Sequence, residues 1–148
     1  GPGFPSQGSG TLFSTIKKGL SYYTLGTTAF IAIPDVINSM YRLMKSDCCN
    51  ERFTLIAENL VFKDVFFTIA DALKVKRPTR YASPLLTTIA WKIDALLAFL
   101  SIKKRTFSRV TAKASHSAIP YSNQKIVSQL EPTFKNIKAY IQEIAPTF

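Results

Sequence analysis

The chain has one histidine, His116, set between Ser115 and Ser117, and a serine beside a histidine is the beginning of a nucleophilic site. Such a pair becomes a hydrolase only when an acid orients the imidazole. No positioned acid accompanies this one, so a surface or helix-capping histidine is the expected role. The two cysteines, Cys48 and Cys49, are adjacent. That spacing suits neither a zinc site nor a disulfide framework, and it reads as two reduced thiols in a loop. The carboxylates are scattered, so neither a metal site nor a paired-acid site is expected.

The cations are the more organised group. The formal net charge is +10. Between residues 72 and 130 the bases run from Lys74 to Lys125 with Asp94 as the one acid. A field of that sign attracts polyanions, or an acidic surface of a partner. Few aromatics interleave these charges, which argues against single-stranded nucleic acid, where stacking carries much of the affinity. Nucleic acid is therefore not an expected partner.

These side chains need a scaffold, and the composition supplies one. With 148 residues and an apolar share of 47%, the chain is long and apolar enough for a folded core. Residues 52–73, RFTLIAENLVFKDVFFTIADAL, carry the clearest pattern. Residues 52–57 mix β-branched and aromatic side chains as a buried strand does. Glu58 and Asn59 then supply turn chemistry. Phe62, Val65, Phe66, Ile69 and Leu73 follow at the spacing of one helix face. Burying those side chains contributes about 10 kcal/mol before chain entropy is subtracted. A strand and helix alone cannot cover both their faces, so a larger sheet is expected around them.

Other elements frame this unit. Residues 11–20 suit a short helix with Leu12, Phe13, Ile16 and Leu20 on one side. Residues 22–33 read as two short strands around a turn at Gly26. Asp35 is placed to cap a helix running to Lys45, with Val36, Ile37, Met40, Leu43 and Met44 as its buried stripe. A short strand is expected over 79–82. Residues 85–102 form the longest apolar stretch. Its Leu, Ile and Phe residues favour membrane insertion by about 3 to 5 kcal/mol, and Lys92 and Asp94 cancel that at roughly 2.5 to 3.5 kcal/mol each. A buried or surface-lying amphipathic helix is the reading. Arg105, Arg109 and Lys113 recur every four residues, as on one helix face. A short helix follows at 123–130. Pro132 starts a last one, whose stripe is Phe134, Ile137, Tyr140, Ile141 and Ile144.

The order of these pieces resembles the C-terminal half of the extended short-chain dehydrogenase/reductase family, in particular NAD-dependent epimerase/dehydratase and dihydroflavonol-reductase-like members. The residues that carry the likeness are Gly1-Pro2-Gly3, then 26–36 (GTTAFIAIPDV), then 51–59 (ERFTLIAEN), then 121–125 (YSNQK). The resemblance implies an α/β fold, mostly helical with a few short strands, forming the substrate-binding portion over 1–148 of a Rossmann-type enzyme. The N-terminal dinucleotide-binding portion is absent from it. With its Gly- and Pro-rich start, no initiator methionine and no signal peptide, the chain reads as cut from a longer, cytoplasmic polypeptide. Pro34 and Val61 depart from the family pattern, the latter where a Ser or Thr helix cap is common, which leaves Asn59 as the nearby capper.

On this resemblance, Gly1, Pro2, Gly3, Phe4, Tyr22, Tyr23 and Phe30 contact a small-molecule substrate. NAD or NADP serves the intact protein, and none is expected to bind this chain alone. The family grips the pyrophosphate with a glycine-rich strand-turn-helix, whose amides and helix terminus meet the negative charge. Here the glycines stand at 1, 3, 8, 10, 19 and 26 and make no such motif. The family's proton-transfer pair is Tyr-x-x-x-Lys, in which the lysine lowers the tyrosine pKa. Tyr41 with Lys45 and Tyr121 with Lys125 match it by letter. The first lies in the helix after Asp35 and the second far along the chain, so neither is expected to be catalytic. The leading expectation is the substrate-binding half of an NAD(P)-dependent oxidoreductase or epimerase, inactive in isolation and completed by the missing half. The alternatives are a basic module for polyanions or a membrane surface, with peripheral membrane contact through 85–102, and a non-catalytic remnant that docks partners.

Overall fold

The computed structural model describes residues 8–99 and 108–148. The architecture is mixed α/β, mostly helical with a few short strands, as expected. In chain order the elements are α1 (Ser9–Lys17), β1 (Tyr22–Tyr23), β2 (Thr27–Phe30), α2 (Ile33–Met44), β3 (Glu58–Val61), α3 (Phe62–Ala72), β4 (Arg80–Tyr81), α4 (Pro84–Phe99), α5 (Arg109–Ala114), α6 (Gln124–Leu130), α7 (Ile137–Ile144) and a closing 3-10 turn (Ala145–Thr147).

The main core forms where the apolar faces of α1, α3 and α7 meet. Phe13 and Ile16 pack with Val65, Ile69 and Ala70, and with Ile137, Ile141 and Ala145. Phe148 stacks on Phe13 with ring centroids 4.5 Å apart, closing this end. The helix spacing at Val65 and Ile69 thus does what the sequence implied. The stripe of α7 is likewise buried at Ile137, Tyr140 and Ile141. That helix begins at Ile137 rather than Pro132 because Asn136 caps it, its side chain accepting from the Ala139 N–H at 3.0 Å. Glu58 reinforces the same terminus by accepting from the Ile137 N–H at 2.9 Å.

The strands depart from expectation in an instructive way. β1 and β2 do not pair with each other around Gly26. β1 runs parallel to β4, with Tyr22 opposite Arg80 and Tyr23 opposite Tyr81. β2 runs antiparallel to β3, from Thr27 opposite Val61 to Phe30 opposite Glu58. The strand expected at 52–57 forms instead at 58–61, and the supposed turn residues Glu58 and Asn59 are inside it. The physical reason is the partner's length. β2 ends at Phe30, and the chain turns into α2 three residues later. Residues 52–57 therefore meet no facing strand among the described residues. They make isolated bonds only, such as Ala57 N–H to the Phe30 carbonyl at 2.9 Å. Asn59 is not a helix cap either. Its side chain donates to the Tyr121 carbonyl at 2.9 Å and accepts from the Tyr121 N–H at 3.0 Å. Val61 holds the cap position of α3 without a side-chain bond.

The stripe of α2 is a second correction. Ile37, Met40 and Met44 are 62%, 55% and 77% exposed, whereas Asp35 and Ser39 are buried. Polar anchors decide which way this helix faces. Asp35 lies in the first turn instead of capping it, and its carboxylate accepts from the Lys135 N–H at 2.7 Å. Arg42 donates to the Leu130 carbonyl at the other end. A buried polar group left unpaired is costlier than an exposed methyl group, so these bonds set the rotation and the apolar side looks outward.

Among the described residues no helix is long and apolar enough to cross a membrane. α4 lies at the surface, with Leu85, Ile93, Leu96 and Phe99 exposed and Thr87 and Asp94 buried.

Candidate functional site

A concave site lies between α4 and α5, and backbone contacts from the strands hold it in place. Arg80 and Ala82 donate to the Ser21 and Tyr23 carbonyls at 3.1 and 2.9 Å, which fixes β4 beside β1. The chain then turns at Ser83, and Pro84 starts α4 in the position its fixed φ favours. This puts Thr87 on the first turn, facing inward. α5 is capped by Ser108, whose hydroxyl accepts from the Thr111 N–H at 3.1 Å. At its other end the residues 115–118 run along β2. Gly26 donates to the Ser115 carbonyl at 3.0 Å and Thr27 to the Ser117 carbonyl at 2.8 Å. A side chain on Gly26 would lie 2.5 Å from the Ser115 carbonyl oxygen, so only glycine allows this approach.

That clasp delivers His116 to α4. Its Nε2 is 3.0 Å from Thr87 Oγ1. The Thr87 hydroxyl also faces the Pro84 carbonyl at 3.1 Å and the Ser83 carbonyl at 3.3 Å. The direction of the Thr87–His116 bond follows the imidazole tautomer, since the hydroxyl can donate or accept. The imidazole also meets the Tyr81 ring edge-on, with centroids 6.4 Å apart. His116 is therefore half-buried and fixed by two neighbours, where the sequence suggested a surface or capping residue.

The resulting cleft has a volume of about 570 Å³. Pro84, Trp91 and Ala112 give it an apolar lining, and Lys92, Arg109, Lys113 and His116 give it a basic one. No acid lines it among the described residues. Arg109 and Lys113 share one face of α5, as their four-residue spacing implied. Arg105 lies outside the described residues.

An aromatic row leads from this cleft to the expected substrate residues. Tyr81 lies 6.0 Å from Tyr23 between ring centroids, and Tyr23 meets Phe67 edge-on at 5.7 Å. Lys63 stands over the Tyr23 ring at 5.5 Å. Tyr22 is exposed on the same strand. Phe30 belongs to the other sheet and lines a separate cavity of about 70 Å³ with Leu12, Val65 and Ile137. The structure thus groups Tyr22 and Tyr23 with the cleft's flank and sets Phe30 against the core. Gly1, Pro2, Gly3 and Phe4 lie outside the described residues.

The two Tyr-x-x-x-Lys strings are accounted for structurally. Lys45 Nζ sits over the Tyr41 ring face, 4.4 Å from its centroid, in an exposed position. Lys125 is paired to Glu51 at 2.7 Å and lies over Phe53 at 5.0 Å. Cys48 and Cys49 are free thiols in the loop before β3. Among the described residues no group of His, Cys, Asp or Glu is arranged to hold a metal ion. Sequence reasoning passed over Thr87 and Trp91, and it undervalued His116. The available signal was the rhythm of Arg109 and Lys113 leading directly to the one histidine.

No protein-family model matches the chain, and no curated protein matches it. Its fold is similar to the crystal structure of gox2253, with a TM-score of 0.74 over 100% of this chain at 15% identity. The chain spans 46% of the length of that protein. At this identity the likeness is one of fold.

Proposed function

We propose that this chain is the substrate-binding half of an NAD(P)-dependent oxidoreductase or epimerase acting at a hydroxyl or carbonyl carbon. One observation carries the reading. The three family-like pieces at 26–36, 51–59 and 121–125 come together in space although they are far apart in sequence. β2 pairs with β3. Asn59 holds Tyr121 by two bonds of 2.9 and 3.0 Å, Asn123 donates to the Ile56 carbonyl at 2.7 Å, and Lys125 pairs with Glu51 at 2.7 Å. The unpaired strand-like run at 52–57 and the outward apolar side of α2 fit a fragment that completes a larger sheet. The similar fold found within a chain about twice as long accords with that.

The residues present do not fit the dinucleotide itself, because no glycine-rich strand-turn-helix is available to hold a pyrophosphate. No redox step is assigned to this chain. Its part is to shape a pocket, through Tyr22 and Tyr23 and through the helices that follow Pro84. The test is a titration of the chain with NADH and NADPH, followed by nicotinamide fluorescence. No saturable enhancement is expected. Tight binding that persists when Arg109 and Lys113 are both replaced by glutamine would overturn the reading.

A further inference from the structure

We propose that the cleft between α4 and α5 binds a small molecule carrying a phosphate group. Lys92 approaches from α4, and Arg109 and Lys113 from α5. None of the three makes an ion pair among the described residues. Elsewhere on the surface Arg77, Lys125 and Lys135 each have a carboxylate partner. Three like charges around one cavity repel one another, and a bound anion relieves that repulsion. Asp94 does not do so from within the lining. It is seven residues after Thr87, within about 20° of it around the helix, and is buried beneath that face without lining the cleft.

Phosphate suits this arrangement better than a single carboxylate. A phosphomonoester carries up to two charges near neutral pH, and three acceptor oxygens meet the Arg109 fork and the two ammonium groups together. The apolar lining of Pro84, Trp91 and Ala112 defines the rest of the ligand as a compact apolar or flat body. The cleft's volume of about 570 Å³ is that of a small-molecule site. The proposal does not depend on the oxidoreductase reading, since it concerns cations and a cavity that this chain holds by itself.

The chain carries a single tryptophan, and Trp91 lines the cleft, so its emission reports occupancy directly. The probe is phenyl phosphate, titrated at constant ionic strength with excitation at the red edge of the indole band. A saturable change is expected, with phenol giving none. Replacing Arg109 and Lys113 together, R109Q/K113Q, is expected to weaken binding by at least about tenfold, the loss of charge-assisted bonds to one anion. Both side chains are exposed, so the fold is retained and circular dichroism checks this. Lys125→Gln, outside the cleft, is expected to leave the titration unchanged. A non-saturating response, an equal response to phenol, or one indifferent to R109Q/K113Q would overturn the proposal. So would a response confined to heparin or to anionic vesicles, which would make the face a polyanion or membrane surface.

Discussion

His116 Nε2 lies 3.0 Å from Thr87 Oγ1, and this bond ties the turn after α5 to the first turn of α4. Thr87 is buried, so removing its hydroxyl takes away the partner that the imidazole has on α4. Thr87→Val keeps the shape and deletes the hydroxyl. It is expected to lower stability by about 1 to 2 kcal/mol and to shift Trp91 emission, because the cleft wall loses its tether. Urea denaturation followed through the same tryptophan measures both effects. An unchanged midpoint would show that the His116 contact carries no weight.

Gly26 supports that tether from behind. The β-carbon of an alanine there would meet the Ser115 carbonyl oxygen at 2.5 Å and the carbonyl carbon at 2.7 Å, both backbone atoms that cannot swing aside. Gly26→Ala is expected to destabilise by roughly 1 to 3 kcal/mol, as overpacking does, and to push residues 115–118 off β2. Amide exchange at Thr27, which donates to Ser117, reports the displacement. Protection equal to the parent's would refute the clasp.

Local signals in the sequence located most elements, and non-local ones decided where they went. The helix at 62–72 and the pairing-competent residues of 27–30 were legible because apolar periodicity and β-branching act within a few residues. The strand at 52–57 was misplaced by its composition. Whether a run forms a ladder depends on the strand beside it, and β2 is only four residues long. The direction of α2 was read from its apolar stripe and was reversed by Asp35, whose partner is Lys135, 100 residues away. For the cleft, Arg109 and Lys113 were visible as a rhythm. The contact of His116 with Thr87 was not, since it rests on Gly26 meeting a loop from a distant part of the chain.

Asp71 and Arg77 make the clearest titrating pair. The guanidinium donates to both carboxylate oxygens at 2.6 and 2.7 Å. These hydrogen bonds, opposed by burial and aided to a smaller extent by the charge of Arg77, hold the Asp71 carboxyl below the usual carboxylate range. Its folded pKa is thus lower than its unfolded one. The stabilisation is fully present above the unfolded value and is lost as the pH falls through the folded one. The side chains are 56% and 48% exposed, so the effect is small and is screened by salt. Asp71→Asn is expected to be less stable than the parent near neutrality, with the difference vanishing in acid. A gap that stays constant from neutral pH to strong acid, measured by urea midpoints, would exclude this pair as its origin.

The outward side of α2 makes the last prediction. Ile37, Met40 and Met44 present apolar surface to solvent, and Tyr41 is 52% exposed beside them. The same helix is held from behind by Asp35 and Arg42, so its fold does not depend on that surface. Exposed apolar area of this kind drives association when its natural cover is missing. The loop at 52–57 adds backbone groups outside any ladder, a second route to pairing between chains. The isolated chain is therefore expected to self-associate with rising concentration, read by light scattering after size exclusion. The double substitution Ile37→Glu with Met44→Glu is expected to return it to a monomer with unchanged helical content. If the parent is already monomeric at high concentration, this face needs no cover, and the case for a missing sheet weakens with it. Unfolding of the variant would show instead that the side chains are structural, contrary to their exposure.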